Sequence, residues 1–216
     1  MNKYGFDNFD IIYIINLKHR VDRWDQIISE MAKMNIDNNK IVRIDGVYHI
    51  VGQIGCTLAH YNTMKHFVNT PDNIKNCLVL EDDFEFTHDK DFVNNLLNKF
   101  FTNNINYDVL LLSSNIIKGH STDYDFITKI IDAQTTSSYC TTKNFAPKLI
   151  DIFYDSSQKL LSSYNLYNTI NSHTDAVDMI WKKLQPIHNW YCVNPKIGQQ
   201  RASYSDIEKK SLFYGC

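Results

Sequence analysis

Residues 77–86, CLVLEDDFEF, constrain the fold of this chain more than any other stretch. Cys77, Leu78, Val79 and Leu80 form a short apolar run, as expected of a strand buried on both faces of a sheet. Glu81, Asp82 and Asp83 follow without a spacer. Alternate side chains of an extended chain share a face, so Glu81 and Asp83 would project together, roughly 7 Å apart at the backbone. Adjacent carboxylates at the end of a buried strand repel one another, and burial raises the cost of their charge. A hard divalent cation (magnesium, calcium or manganese) would relieve both. A solvated acidic turn is the other reading of the same triplet. In open α/β sheets ligands gather outside the carboxyl ends of the strands, where these acids would sit.

The segments on either side repeat a strand–helix rhythm, which predicts a mostly parallel sheet flanked by helices. Residues 10–17 read as a strand, and residues 22–35 as an amphipathic helix carrying Trp24, Ile27, Ile28, Met31 and Met34 at helical spacing. Arg20 and Arg23, just past that strand, are candidates for pairing with phosphate or a uracil ring, or else a solvated helix start. A second strand is expected at 40–45, closing on Asp45-Gly46, and a helix at 55–68 with His60 at the edge of its apolar stripe. After the acidic triplet come a helix at 91–101 and a buried strand at 109–112. Residues 118–135 read as a polar, irregular loop able to move over a site. A strand at 137–141 and a helix at 143–154, with Pro147 near its first turns, follow. Residues 156–171 carry too weak a period to assign. A helix at 175–184 would place Asp175 and Asp178 on one face at i, i+3, and a last strand is expected at 190–193.

Composition removes several classes of function. With 22 basic and 24 acidic residues the net charge is -2, so no global field points to nucleic acid or an anionic membrane. Apolar runs span only a few residues, too short for a transmembrane helix, and the first ten residues lack the apolar core of a signal peptide. The five cysteines, at 56, 77, 140, 192 and 216, include no CxxC pair. Reduced thiols in a cytoplasmic compartment, without structural zinc, are the expectation. Seven glycines and no GxGxxG or GxxxxGK[ST] argue against a dinucleotide-binding dehydrogenase or a P-loop enzyme. At 216 residues, without linker or repeat, the chain is expected to be one domain.

The order of motifs resembles family 25 of the glycosyltransferases, which includes bacterial lipooligosaccharide transferases and animal collagen galactosyltransferases. The likeness is carried by YIINLKHRVDRW (13–24), RIDGV (43–47), IGCTLAHYNTMKH (54–66), CLVLEDDFEF (77–86) and YDVLLLSSN (107–115). It continues through TTSSYCTTKNFAPKL (135–149), DAVDMIWKKLQ (175–185) and VNPKIGQQRASYSDIE (193–208), and so spans nearly the whole chain. The resemblance implies a GT-A, Rossmann-like fold, a UDP-sugar donor and Mn²⁺ or Mg²⁺.

On that resemblance Asp83 would coordinate the ion, Glu81 would lie at the metal or the ribose, and Asp82 would be a further ligand at the cofactor. Asn16, Leu17 and Arg20 match the donor-binding turn after the first strand, and Asp45 a nucleotide-side position. Gly55, Cys56 and His60 match the helix beside the donor, and Gln200 a position near the metal or diphosphate. Asp178, then Asp175, are the candidates for the base that an inverting transfer requires. The reaction implied is transfer of galactose or glucose from UDP to a hydroxyl, either hydroxylysine of a collagen-like protein or a glycan. A metal-dependent hydrolase of nucleotide sugars and a catalytically silent nucleotide- or glycan-binding relative are the competing readings.

Overall fold

A computed structural model describes residues 3–170, 173–205 and 210–212. Asn171, the last three residues of the motif at 193–208 and Cys216 lie outside them. The first strand, β1 (Ile11–Asn16), is followed by helix α1 (Val21–Lys33) and β2 (Ile41–Asp45). Helix α2 (Gly52–Val68) leads to β3 (Asn76–Glu81), which turns through Asp82 and Asp83 into the short β4 (Phe84–Phe86). Helix α3 (Lys90–Thr102) starts on an Asp89 carboxylate that accepts from the Phe92 amide at 2.8 Å. Then come β5 (Val109–Leu111), β6 (Asn115–Ser121), β7 (Ile127–Gln134), β8 (Ser138–Thr142) and α4 (Ala146–Tyr167). The one-turn α5 (Val177–Ile180), β9 (Trp190–Val193), β10 (Gly198–Gln200), β11 (Ser203–Ser205) and β12 (Lys210–Leu212) complete the described chain.

Eight strands form one sheet in the order β2-β1-β3-β8-β5-β9-β7-β6. By their pairing, six of them share one sense, and β7 and β8 are reversed. The sheet is thus mostly parallel in strand direction, with helices on both faces. β4 and β10 pair separately as an antiparallel ribbon, as do β11 and β12. Because β1, β2 and β3 are parallel and in register, Asn16, Asp45 and Glu81 emerge at one end of the sheet. Reversed β8 begins at that same end, where Ser138 pairs with Leu80.

The apolar strands explain the two-layer packing. Ile12 and Ile14 of β1, with Leu78 and Leu80 of β3, pack under α1 and α3 against Ile27, Met31, Val93, Leu97 and Phe100. Tyr13, Cys77 and Val79 face the opposite side, against Ala59, Met64 and Phe67 of α2 and Leu149 and Phe153 of α4. Alternation with period two, apolar on both faces, is what a strand covered by helices on each side demands. Cys56, Cys77, Cys140 and Cys192 are free thiols. Among the described residues no helix is long and apolar enough to cross a membrane.

Three segments depart from expectation. Residues 118–135 are no irregular loop, since β6 and β7 form a hairpin there with a register shift near Lys118. The buried positions of β7, Ile127, Ile130 and Ala133, fall three apart, so the alternation that marks a strand is missing from the sequence. Helix α4 begins at Ala146 rather than 143 and runs to Tyr167 through the unassigned stretch. Its buried Ser156 and Ser157 are satisfied by donating to the carbonyls of Asp175, at 2.5 Å, and Tyr154, at 2.8 Å, so two polar letters occupy packed positions. Residues 175–184 are broken into 3-10 turns on either side of α5, and the first break falls where Ala176 takes an extended backbone conformation.

Candidate active site

The end of the sheet where Glu81 emerges opens into a cleft of about 620 Å³. Leu17, Arg23, Gly55, Cys56, His60, Glu81, Asp82, Asp83, Asp178 and Gln200 are among its lining residues. Chain topology accounts for the convergence. The β3–β4 turn carries the acids, α2 presents Cys56 and His60 one turn apart, the approach to β8 supplies Thr135 and Thr136, and β10 delivers Gln200. Gln200 is aligned by two contacts: its Nε2 donates to Asp83 Oδ1 at 3.4 Å, and the next amide, Arg201, donates to the Asp83 carbonyl at 2.6 Å. Arg201 in turn pairs with Glu85 at 3.0 Å and Glu30 at 3.5 Å, anchoring β10 to β4 and α1.

The three acids have different surroundings. Glu81 Oε1 accepts from Thr136 Oγ1 at 2.8 Å and lies 3.2 Å from His60 Nε2. Burial works to raise its pKa, but His60, Thr136 and the nearby Arg23 outweigh burial and hold the carboxyl below its ordinary value. Asp82 is tied down by Arg23 at 2.8 Å and Asn16 at 2.6 Å; burial nevertheless keeps its pKa raised. Asp83 has Arg23 at 3.3 Å. Burial, then the charges of Glu81 and Asp82, push its pKa up to about 7. With the three carboxyls so close to one another, the repulsion is expressed at Asp83 as a raised affinity for a proton.

Asp178 reaches the cleft from α5 and accepts from the Thr135 amide at 3.3 Å. Burial raises its pKa, with Glu81 adding to the effect. Thr135 holds φ at 85°, a conformation rare for a β-branched residue, and so spends backbone strain to aim that amide. Burial also lifts the Cys56 thiol well above its ordinary pKa, reinforced by Glu81 and Asp178, so Cys56 is no ready thiolate nucleophile.

Four candidates lie outside the lining. Asn16 is buried beneath the acids, where its side-chain amide donates to Asp82. Arg20 chelates Asp22 at the start of α1, at 2.8 Å, and Asp45 is exposed beyond the cleft edge. Asp175 sits on the 3-10 turn before α5 and does not share a cleft-facing surface with Asp178, since the helix expected to align them is interrupted. Arg23 is not a solvated helix start: it is buried on the cleft wall, as the counter-ion of Asp82 and Asp83. Thr135, Thr136 and Tyr139 were not singled out by sequence reasoning. Their segment gave only a likeness of motif, and their roles depend on β8 running backwards.

Gly55 serves packing, because a Cβ there would collide with the carbonyl oxygen of Val47 in the loop after β2. Gly55→Ala is expected to cost about 1–3 kcal/mol by pushing α2 from that loop, read as a lowered unfolding midpoint in denaturant. A midpoint equal to the parent's would show that the loop yields freely.

The family model for "Glycosyltransferase family 25 (LPS biosynthesis protein)" matches residues 51–165. Procollagen galactosyltransferase 2 of Homo sapiens is 29% identical over a match covering 40% of this chain and 17% of that protein. The Mus musculus protein of the same name is 28% identical with the same coverage. The chain thus spans less than a fifth of the length of the curated relatives it matches. Among solved structures, A197 from STIV superposes with a TM-score of 0.50 at 11% identity, covering 95% of this chain and 94% of that one, a likeness of fold.

Proposed function

Since the chain belongs to glycosyltransferase family 25, we propose that it transfers galactose or glucose from a UDP-sugar to an acceptor hydroxyl, with inversion. The carrying observation is the crowded acid cluster on the wall of the cleft, with Asp83 held at a pKa of about 7 by burial and like charge. Such a carboxyl gains most from a hard divalent ion, and the all-oxygen set of Asp83, Glu81 and the Gln200 side-chain carbonyl suits Mn²⁺ or Mg²⁺. When bound, the ion would offset the charge that develops on a departing diphosphate. Arg23 and Asn16 hold Asp82, and through it the β3–β4 turn, so that Asp83 keeps its aim. Leu17, Gly46 and Val47 line the neighbouring wall, where the nucleoside would lie. Asp178 is the base that takes the acceptor proton. Its raised pKa makes it a stronger base than an exposed aspartate, and the Thr135 amide fixes one of its oxygens. The acceptor is a hydroxylysine of a collagen-like protein or a glycan hydroxyl.

The test is turnover of UDP-galactose and UDP-glucose by the purified chain with Mn²⁺ or EDTA, with and without hydroxylysine peptides and simple glycosides. Metal-dependent UDP release that rises with one acceptor is expected. Asp178→Asn should lower kcat by a factor of roughly 10² to 10⁴ while UDP still binds. Release of free sugar indifferent to every acceptor would replace transfer with hydrolysis. A full rate in Asp178→Asn would remove that residue from the reaction.

A further inference from the structure

One group of side chains in the cleft has a chemistry that the transfer reaction does not require. Cys56 Sγ, a ring nitrogen of His60 and a carboxylate oxygen of Glu81 all lie within 4.8 Å of one another. Cys56 and His60 stand at i, i+4 on α2, so one helix face presents both, and Glu81 meets them from the end of β3. A tetrahedral zinc ion with ordinary bond lengths sets neighbouring donor atoms about 3.4–3.6 Å apart. The His60 Nε2 to Glu81 Oε1 separation is 3.2 Å, close to one edge of that tetrahedron. Closing the remaining edges is left to adjustment of the Cys56 side chain, whose sulfur lies within 4.8 Å of both other donor atoms. The supporting contacts of a metal site are also in place. His60 Nδ1 lies 3.1 Å from the Tyr139 hydroxyl, which can accept a hydrogen bond from Nδ1–H and leave Nε2 to a metal, and Thr136 donates to Glu81 at 2.8 Å.

We propose that Cys56, His60 and Glu81 form a binding site for zinc or a similar thiolate-accepting divalent ion, with the fourth coordination position open to the cleft. A sulfur–nitrogen–oxygen set discriminates against magnesium and manganese, which prefer oxygen, and so separates this site from the Asp83–Gln200 position beside it. Binding releases the Cys56 thiol proton to solvent and breaks the contact between His60 and Glu81. The absence of CxxC gave no hint of it, because the three ligands meet only after β3 is laid beside α2. Glu81 serves both positions, so zinc would oppose the metal-dependent transfer. That consequence rests on the function proposed above; zinc binding itself does not.

The experiment uses the purified, chelator-treated chain. Cobalt(II), as a spectroscopic substitute for zinc, is expected to give a thiolate-to-cobalt charge-transfer band that a single equivalent of zinc abolishes. Cys56→Ser should lose the band and weaken zinc binding by a factor on the order of 10 or more, whereas Asp83→Asn should keep both. On the unaltered protein, zinc but not magnesium should protect Cys56 from alkylation, mapped by mass spectrometry; this arm needs no variant to fold. Cobalt bound without the charge-transfer band, or Cys56 alkylated at the same rate with and without zinc, would overturn the site.

Discussion

Asp83→Asn is expected to remove metal-dependent turnover while leaving the metal-free chain more stable than the parent at neutral pH. The two effects have one origin. Burial and the charges of Glu81 and Asp82 raise the Asp83 pKa from 3.8 to about 7, so the folded state binds that proton more tightly than the unfolded chain does. Stability contributed by the protonated form is complete below the unfolded value. It falls as pH rises through the window between the two values, because the unfolded chain has already released its proton there. Above that window the parent bears the whole penalty, of order a few kcal/mol, and an amide bears none. Glu81 shifts in the opposite direction, and because the two carboxylates repel each other, the amide also relieves Glu81 of that repulsion, which adds to the gain of the variant. The unfolding temperature in chelator should therefore fall from pH 4 to 7 more steeply in the parent than in the variant. Turnover with Mn²⁺ should fall by about 100-fold or more, the equivalent of roughly 3 kcal/mol of lost charge stabilisation. A variant that keeps its rate within a factor of about ten would place the ion elsewhere.

How far the sequence reveals this arrangement depends on whether a residue's role is local. The run from Cys77 to Leu80, apolar on both faces, specifies a doubly covered strand by itself, and it lies in β3 between two helical layers. Helices α1 and α3 carry apolar stripes that face the sheet, and they too were legible. The hairpin of β6 and β7 was not, because an edge strand with an exposed pattern and a register shift has no period to read. The acids, Cys56, His60 and Gln200 could be marked as candidates by motif, but their partners could not. Thr136 reaches Glu81 across 55 residues, Tyr139 reaches His60 across 79, and Gln200 reaches Asp83 across 117. Each contact depends on strand order, and strand order depends on the reversed β8, which no local pattern announces. Arg23 illustrates the limit. Its place after β1 suggested a partner for phosphate or a uracil ring or else a solvated helix start, and neither names the acids that the fold sets beside it.

Arg23→Met should destabilise the chain by about 3–5 kcal/mol, among the largest effects of any single replacement around the cleft. The guanidinium lies 2.8 Å from Asp82 and 3.3 Å from Asp83, with 10% of the side chain exposed. Methionine fills similar volume, so the cost is electrostatic: Asp82 would keep the Asn16 amide at 2.6 Å but lose its charged partner in a site where burial already raises its pKa. Removing the stranded charge should recover part of the loss. The double variant Arg23→Met/Asp82→Asn is expected to be more stable than Arg23→Met alone, with a coupling of about 1 kcal/mol or more between the two positions. Manganese supplies a further discrimination. If Arg23 is the resident counter-ion of a cation site, an added divalent ion should raise the unfolding temperature of Arg23→Met more than that of the parent, since the variant has more uncompensated charge for the ion to satisfy. Equal gains in both would place the bound ion away from Arg23 and the acids, and none in either would mean that the acids are held by Arg23 for the sake of the fold; in both cases the metal reading of the β3–β4 turn would fall.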